Sequence, residues 1–176
     1  PTFRVRNAIS VANIETFEQI DYSRKGRPTP FVVGYYSGTK THQADFAVVA
    51  PALIQFMQEN PDVVFRIVGD FDLNDWPELA YWQHIHRPGD MPRVVRVGLM
   101  PHDAMIRDQF SCDIILAPLE VGNPFCEAKS ELKFFEASLA KAPVIASATR
   151  TFSEACEHGR LASLAVTTED WLGHLN

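Results

Sequence analysis

The sequence predicts a doubly wound α/β domain, in which a mostly parallel sheet carries helices on both faces. Short apolar segments typical of buried strands alternate with segments whose apolar residues recur at helical spacing. The connections are short, and no internal repeat is present. This alternation is typical of parallel sheets covered by crossover helices. In such sheets, ligands bind outside the carboxyl ends of the strands.

Six segments rich in apolar residues and bounded by turn residues predict the strands. They are residues 31–36, 63–69, 93–98, 112–118, 143–147 and 161–166. Helical spacing or capping signals predict helices within residues 13–20, 43–59, 101–110, 153–158 and 168–171. The apolar spacing of Leu132, Phe135 and Leu139 predicts a further helix over these residues. Residues 76–86 are ambiguous between helix and loop.

Several residues predict where these helices begin and end. Pro51 predicts a kink or a late start within residues 43–59. The remaining signals are Asp45 or Thr41 as the cap before that helix, Pro101 near a first helical position, Gly159 as a C-cap, and Thr167 or Thr168 as the last N-cap.

Composition excludes several classes of protein. The chain has 176 residues, of which 46% are hydrophobic and 22% charged, as expected for a globular domain. A net charge of −6 disfavours nucleic acid and membrane surfaces as partners. No apolar run is long enough to span a bilayer, and the first residues do not resemble a signal peptide. The widely spaced Cys112, Cys126 and Cys156 predict reduced thiols in a cytoplasmic protein.

The segment after the fourth strand, residues 119–136, carries the strongest functional signal. On one helix, Lys129, Lys133 and Glu136 would be spaced i, i+4, i+7 and share a face. Two ammonium groups near a helix N-terminus suit a diphosphate, and the carboxylate suits a sugar diol. Alternatively, Lys133 and Glu136 form an ordinary i, i+3 ion pair on a solvated face.

A second loop, after the first strand, combines small residues, hydroxyl groups and a lysine in the run Ser37-Gly38-Thr39-Lys40-Thr41. Its backbone N–H groups could approach a phosphate, although a plain turn would have the same composition. Both loops directly follow strands, so the predicted topology brings them to one edge of the sheet.

Two groups of potential metal ligands are interpreted as structural. Asp70-Phe71-Asp72 resembles a DxD motif, but no His or further carboxylate is placed to complete a site, which predicts a solvated loop. An EF-hand reading fails because the required Gly and distant Glu are absent. His84 and His86 are two residues apart and would not share a helix face.

Two blocks of sequence resemble a known family. Pro124-Phe125-Cys126-Glu127-Ala128-Lys129-Ser130-Glu131-Leu132-Lys133-Phe134-Phe135-Glu136-Ala137, followed by residues 142–147, is similar to the donor-binding signature of GT-B glycosyltransferases of the family 4, or group 1, type. Residues 34–46 are similar to the loop after the first strand of that donor domain. The resemblance spans residues 31–172 and implies a nucleotide-sugar-binding domain over 31–176, with residues 1–30 as a linker from an N-terminal acceptor-binding domain.

The resemblance also implies roles for individual residues. Glu136 would contact the ribose hydroxyls. N–H groups around Ser130 and Glu131 would bind the diphosphate, together with Lys129, Lys133 and the loop Ser37, Gly38, Thr39 and Lys40. Many members carry a sugar-contacting Glu eight positions before the ribose Glu, where this chain has Ala128. Asn123 and Glu127 are therefore the candidates for the donor sugar.

The function implied is metal-independent transfer of a sugar from a nucleotide-diphosphate sugar to an acceptor, with no cofactor, in bacterial surface polysaccharide synthesis. The acceptor and any general base would come from the other domain, so this chain alone is expected to bind donor without turnover. Three alternatives stay open from the sequence: a non-catalytic nucleotide-sugar-binding module, a related nucleotide-sugar 2-epimerase, and a flavodoxin-like signalling domain. The last is disfavoured because no acidic cluster follows the first strand.

Overall fold

A computed structural model describes residues 8–19, 30–38, 42–86 and 91–176 of the chain. The strands in it are β1 (Val32–Gly38), β2 (Val64–Gly69), β3 (Val94–Val97), β4 (Ile114–Ala117), β5 (Val144–Ser147) and β6 (Ser163–Ala165). The helices are α1 (Val11–Glu18), α2 (Gln43–Ala47), α3 (Ala50–Glu59), α4 (Pro77–Trp82), α5 (His102–Gln109), α6 (Pro124–Glu127), α7 (Leu132–Leu139), α8 (Arg150–Ala155) and α9 (Thr168–Leu175).

The six strands form one parallel sheet in the order β3-β2-β1-β4-β5-β6. The predicted doubly wound class is therefore confirmed. The order runs outward from β1 in one direction and from β4 in the other, so the topological switch point lies between these two strands. Crevices at such points are where open α/β sheets bind ligands.

Side chains that alternate along each strand enter two cores, one on each face of the sheet. On one face Val33 and Tyr35 of β1 pack with Leu53 of α3 and Trp171 of α9. On the other, Tyr36 packs in a core that includes Phe134 of α7 and Phe152 of α8. Burial on both faces explains why the strands read as nearly continuous apolar runs rather than alternating ones.

Helix boundaries depart from the predicted ones where a turn intervenes. Residues 43–59 form two helices, and α3 restarts at Ala50 with Pro51 in its first turn, as a late start predicted. The helix predicted at 153–158 is α8, which begins at Arg150 and ends at Ala155. The cap predicted at Gly159 is wrong, because a turn of positive φ (Glu157 49°, His158 55°, Gly159 94°) follows Cys156.

The structure also tests the remaining predicted helix ends. Thr167 accepts a hydrogen bond from the Asp170 N–H and completes a capping box for α9, which confirms one of the two predicted caps. Pro101 occupies the extended N-cap position of α5 rather than its first turn. The helix predicted within 13–20 lies at Val11–Glu18 and packs against α5 and α7. Residues 1–7 and 20–29 of the predicted linker lie outside the described residues, and the linker boundary at residue 30 stays a prediction.

Two glycines allow the carboxyl ends of β1 and β2 to approach closely. Gly69 has φ +117°, and a Cβ there would lie 2.7 Å from the backbone N of Gly38. Gly38 itself has φ +74°, and its carbonyl accepts from the Asp70 N–H at 3.1 Å. Side chains would therefore clash or strain the backbone here, at the strand ends that border the switch point.

None of the helices within the described residues is both long and apolar enough to cross a bilayer. The three cysteines are free and buried, as the thiol prediction required. Burial raises the pKa of both Cys112 and Cys156 to about 11, so these thiols stay protonated and unreactive at neutral pH.

Candidate functional site

The strands that lead into the two loops singled out in the sequence lie side by side at the switch point. β1 and β4 are adjacent in the sheet, so the chain that leaves β1 at Gly38 and the chain that leaves β4 at Ala117 emerge side by side. Contacts between Asp45, at the start of the helix that follows β1, and residues 126–129 join them directly. The predicted convergence is confirmed for the described parts of these segments, which leave out residues 39–41.

Asp45 is the residue around which this contact is built. It is 3% exposed and accepts three hydrogen bonds: from Lys129 Nζ at 2.6 Å, from His42 Nδ1 at 2.9 Å and from Cys126 Sγ at 3.3 Å. Burial alone would raise the pKa of Asp45, but the hydrogen bonds from His42, Lys129 and Cys126 outweigh it and lower the pKa to about 2. Asp45 is therefore an ionised, buried anchor. Its predicted capping role is wrong, because its side chain points to these donors.

Lys133 lies in the first turn of α7 and, unlike Asp45, has no hydrogen-bond partner for its charged group among the described residues. Its Nζ is buried and has no hydrogen-bond acceptor among the described residues. The ammonium lies 4.9 Å from the centroid of the Tyr35 ring. Burial lowers the pKa of Lys133 to about 8, and the charge of Lys129 adds to this while Asp45 and Glu136 oppose it. An ammonium buried without an acceptor costs free energy that an anionic ligand would recover.

Glu136, one turn further along α7, is held by a residue that sequence reasoning missed. Its Oε1 lies 2.7 Å from Nε2 of His102, the first residue of α5. Glu136 is 7% exposed, whereas the His102 side chain is 49% exposed. The imidazole therefore fixes the carboxylate from the solvent side of the crevice. We refer to Asp45, Lys129, Lys133 and Glu136 together as the charge cluster.

The structure corrects how these charges are brought together. α6 and α7 are separate helices, and Lys129 lies in the turn between them, so no single helix face carries Lys129, Lys133 and Glu136. The i, i+3 ion pair offered as the alternative is also absent, because Glu136 pairs with His102 and the Lys133 ammonium has no acceptor in the described part of the chain. Coulombic coupling still links Lys133 to Asp45, Lys129 and Glu136.

The two candidates for the donor sugar make local contacts with the backbone. Glu127 accepts from the Gly122 N–H at 2.9 Å and from the Arg150 N–H at 2.8 Å, which lowers its carboxyl pKa. Asn123 caps α6 by accepting from the Phe125 N–H at 3.0 Å, and its Nδ2 donates to Glu120 at 2.6 Å. Both side chains thus hold the loop after β4 in shape, and a sugar contact for either stays a prediction.

The other predicted residues take various positions around the crevice. Ser37 is 1% exposed at the end of β1, and Gly38 closes that strand. Ser130 lies partly buried in the turn before α7. Thr39 and Lys40, as well as Thr41, lie outside the described residues, so their proposed phosphate contacts stay predictions.

Potential metal ligands do not gather in the described residues, where no group of three or more His, Cys, Asp or Glu side chains is arranged to hold an ion. Asp72 accepts from the N–H and the side-chain amide of Asn74, at 2.9 and 3.0 Å, in an exposed turn after β2. Asp70 and Asp72 are exposed, as predicted for a solvated loop, whereas Phe71 between them is buried in the core, and the absence of a metal stays a prediction.

Comparison with known proteins adds the fold family. No protein-family model and no curated protein sequence matches the chain. Among solved structures, HepE from Anabaena, determined in complex with UDP and glucose, is 24% identical with a TM-score of 0.59, over 96% of this chain and 42% of that one. The UDP-forming α,α-trehalose-phosphate synthase from Burkholderia xenovorans, in complex with glucose-6-phosphate, is 11% identical with a TM-score of 0.64. The match covers 95% of this chain and 42% of that one.

A third structure, WaaG, a glycosyltransferase involved in lipopolysaccharide biosynthesis, gives 12% identity and a TM-score of 0.61, over 94% of this chain and 41% of that one. The chain thus spans less than half the length of these structures. At these identities the likeness concerns the fold. The chain has the Rossmann-like fold of one half of the GT-B glycosyltransferases.

Proposed function

We propose that this chain is the nucleotide-sugar-binding, or donor, domain of a GT-B glycosyltransferase. The observation that carries the proposal is the Lys133 ammonium, which is buried without an acceptor among the described residues and lies one turn before Glu136 at the switch point. A diphosphate supplies the acceptor that Lys133 needs, and the N-terminus of α7 adds N–H groups to the same region. Glu136 then lies further along the helix, where a ribose would follow the diphosphate.

Lys129 is expected to take part through its remaining N–H groups. One of its three donors points to Asp45 at 2.6 Å, and its side chain is 20% exposed. A lysine ammonium can donate to more than one acceptor, so a diphosphate oxygen could be bound without breaking the ion pair. Asp45 thereby fixes the place of one cation in the crevice.

The charge cluster suits the chemistry of glycosyl transfer. As the bond to the anomeric carbon breaks, negative charge grows on the departing diphosphate. Ammonium groups that are already fixed stabilise that charge more in the transition state than in the ground state. We propose that the two lysines do this without a metal ion. The acceptor and any general base would come from a second domain, so we expect this domain alone to bind donor without turnover.

The biological setting follows the same proposal. WaaG acts in lipopolysaccharide biosynthesis, which supports a role for this chain in bacterial surface polysaccharide synthesis. The buried free thiols support a reducing compartment, the cytoplasm. A binding module that does not transfer sugar would share the site, and turnover by the two-domain protein would distinguish the two functions.

The first prediction concerns the ligand class. We expect calorimetry to detect UDP, GDP, dTDP or ADP binding with a Kd between roughly micromolar and millimolar, unchanged by a chelator. The parent nucleoside should bind more weakly, because it offers nothing to Lys133. Absence of binding by every nucleoside diphosphate, or binding only with a divalent metal, would overturn the proposal.

The second prediction concerns Glu136. His102 holds Oε1, which leaves the other carboxylate oxygen to accept from a ribose hydroxyl. Glu136→Gln should weaken nucleoside diphosphate binding by about 1.5–3 kcal/mol, the range for hydrogen bonds to a charged group, and leave inorganic pyrophosphate binding nearly unchanged. Glu169→Gln, at an exposed position in the first turn of α9, is the control. Equal losses for both ligands would remove the ribose role.

A further inference from the structure

His42 lies where the chain from β1 enters the crevice, beside the charge cluster. Its Nδ1 and the Lys129 Nζ approach the same oxygen of Asp45, Oδ2, at 2.9 and 2.6 Å. The backbone is fixed as well, since the Tyr35 hydroxyl donates to the His42 carbonyl at 3.1 Å. The imidazole is therefore held next to one of the cations proposed to bind the diphosphate, with its side chain 23% exposed.

The ionised state of Asp45 decides which ring nitrogen is available. A carboxylate can only accept hydrogen bonds, so Nδ1 of His42 must carry a hydrogen and donate it to Oδ2. Nε2 is then the nitrogen left for another partner, and none of the residues that the structure describes is bonded to it. This is the arrangement in which a buried carboxylate orients an imidazole for work at its other nitrogen.

We infer that His42 is a further diphosphate-binding residue and that Asp45 is its positioning residue; the inference rests on the proposed donor-domain function. A phosphate oxygen requires a donor, so Nε2 carries a proton in the complex and the ring is an imidazolium between two anions, Asp45 and the diphosphate. The charges beside it are Asp45, which stabilises the imidazolium, and Lys129 on the same Asp45 oxygen, which repels the imidazolium until the ligand neutralises the lysine.

This assignment explains why a crevice for an anion contains a buried carboxylate. Asp45 would repel a diphosphate if it acted alone. By accepting from His42 and Lys129 through one oxygen, it instead holds two donors from different segments at one place. The donors reach the ligand, and the carboxylate stays behind them, 3% exposed.

A pair of substitutions separates this binding role from a purely structural one. Asn places its amide near the position of Nδ1 and can keep the hydrogen bond to Asp45, whereas Gln reaches the position of Nε2. Affinity for UDP and for uridine would be measured for wild type, His42→Asn and His42→Gln. The same two substitutions at His84, which is exposed, are the matched controls. If UDP is not bound and another nucleoside diphosphate is, that diphosphate and its nucleoside replace the pair.

We expect His42→Asn to lose roughly tenfold to a hundredfold in diphosphate affinity, with nucleoside affinity unchanged. His42→Gln should keep more of the diphosphate affinity. A structural role predicts the reverse order, because Asn would preserve the contact with Asp45 and Gln would break it. That reverse order, or a loss shared equally by diphosphate and nucleoside, overturns the inference. Failure of wild type to bind any nucleoside diphosphate instead overturns the proposed function.

Discussion

Replacing Asp45 by Asn is expected to lower the free energy of unfolding by about 3 kcal/mol, the scale for removing one partner of a buried ion pair. The substitution leaves the Lys129 ammonium, 2.6 Å away, without its counter-charge. It also turns one carboxylate oxygen into an NH2 donor, so either the oxygen that accepts from His42 or the one that accepts from Cys126, at 2.9 and 3.3 Å, is lost as an acceptor. Because these donors come from both sides of the switch point, the crevice should loosen along with the fold. Urea unfolding at neutral pH measures the effect.

The pH dependence of stability provides an independent check of the same residue. The pKa of Asp45 is lowered from 3.8 to about 2 in the folded chain. Its ion pair therefore stabilises the fold at pH values above 3.8, and this contribution, about 2 kcal/mol, is lost as the pH falls towards 2. Wild type should lose it over that interval, and Asp45→Asn should not.

Asp75→Asn is the matched control, since Asp75 is exposed in the turn after β2. Its effect on unfolding should stay within about 0.5 kcal/mol, as for most surface substitutions. Equal stability of wild type and Asp45→Asn, or parallel acid unfolding curves for the two, would show that Asp45 is not the anchor of the crevice.

The sheet was predictable because its signals are local. Each strand is buried on both faces, so apolar runs such as those that end at Tyr36 and Ala117 identify it without knowledge of its neighbours. Switch-point topology then places the loops after β1 and β4 at one edge. Helix ends were less predictable, because capping residues such as Thr167 are common and only backbone geometry decides which one is used.

The contacts within the site were not predictable in the same way. Asp45 reads as a helix cap in the sequence, and its true donor Lys129 lies 84 positions away. His102 reads as an ordinary first-turn residue, and its partner Glu136 lies 34 positions away. Side chains at such separations meet only once the strands are ordered. The one available signal was that His42 and His102 each follow a strand closely, at the edge where ligands bind.

Replacing Lys133 by Met is expected to have opposite effects on stability and binding. The folded chain keeps a buried ammonium with no acceptor in the described residues, and burial lowers its pKa from 10.5 to about 8. Holding that charge at neutral pH costs about 3 kcal/mol. Methionine fills a similar volume without the charge, so the variant should unfold at higher urea concentration. Residues kept for binding at the expense of stability commonly behave this way.

The sign of the pH dependence separates this explanation from better packing alone. The cost of Lys133 is fully present below pH 8 and is relieved as the pH rises from about 8 towards 10.5, where the unfolded chain binds more protons than the folded one. The stability advantage of Lys133→Met should therefore shrink over that interval. Burial also raises the pKa values of Cys112 and Tyr36, but these groups contribute the same pH dependence to wild type and to Lys133→Met. The difference in unfolding free energy between the two therefore reports on Lys133 alone.

Diphosphate binding by Lys133→Met should weaken, whereas its stability should rise. If the diphosphate is the missing acceptor, Lys133→Met should lose roughly a hundredfold in affinity for a nucleoside diphosphate and almost nothing for its nucleoside. Lys141→Met, just past the C-terminus of α7 and exposed, is the control. A variant that is both more stable and still a full-strength diphosphate binder would assign Lys133 to no ligand. In that case Lys133 would not contact the diphosphate. The phosphate contacts would then be assigned to Lys129 and to the backbone N–H groups at the start of α7.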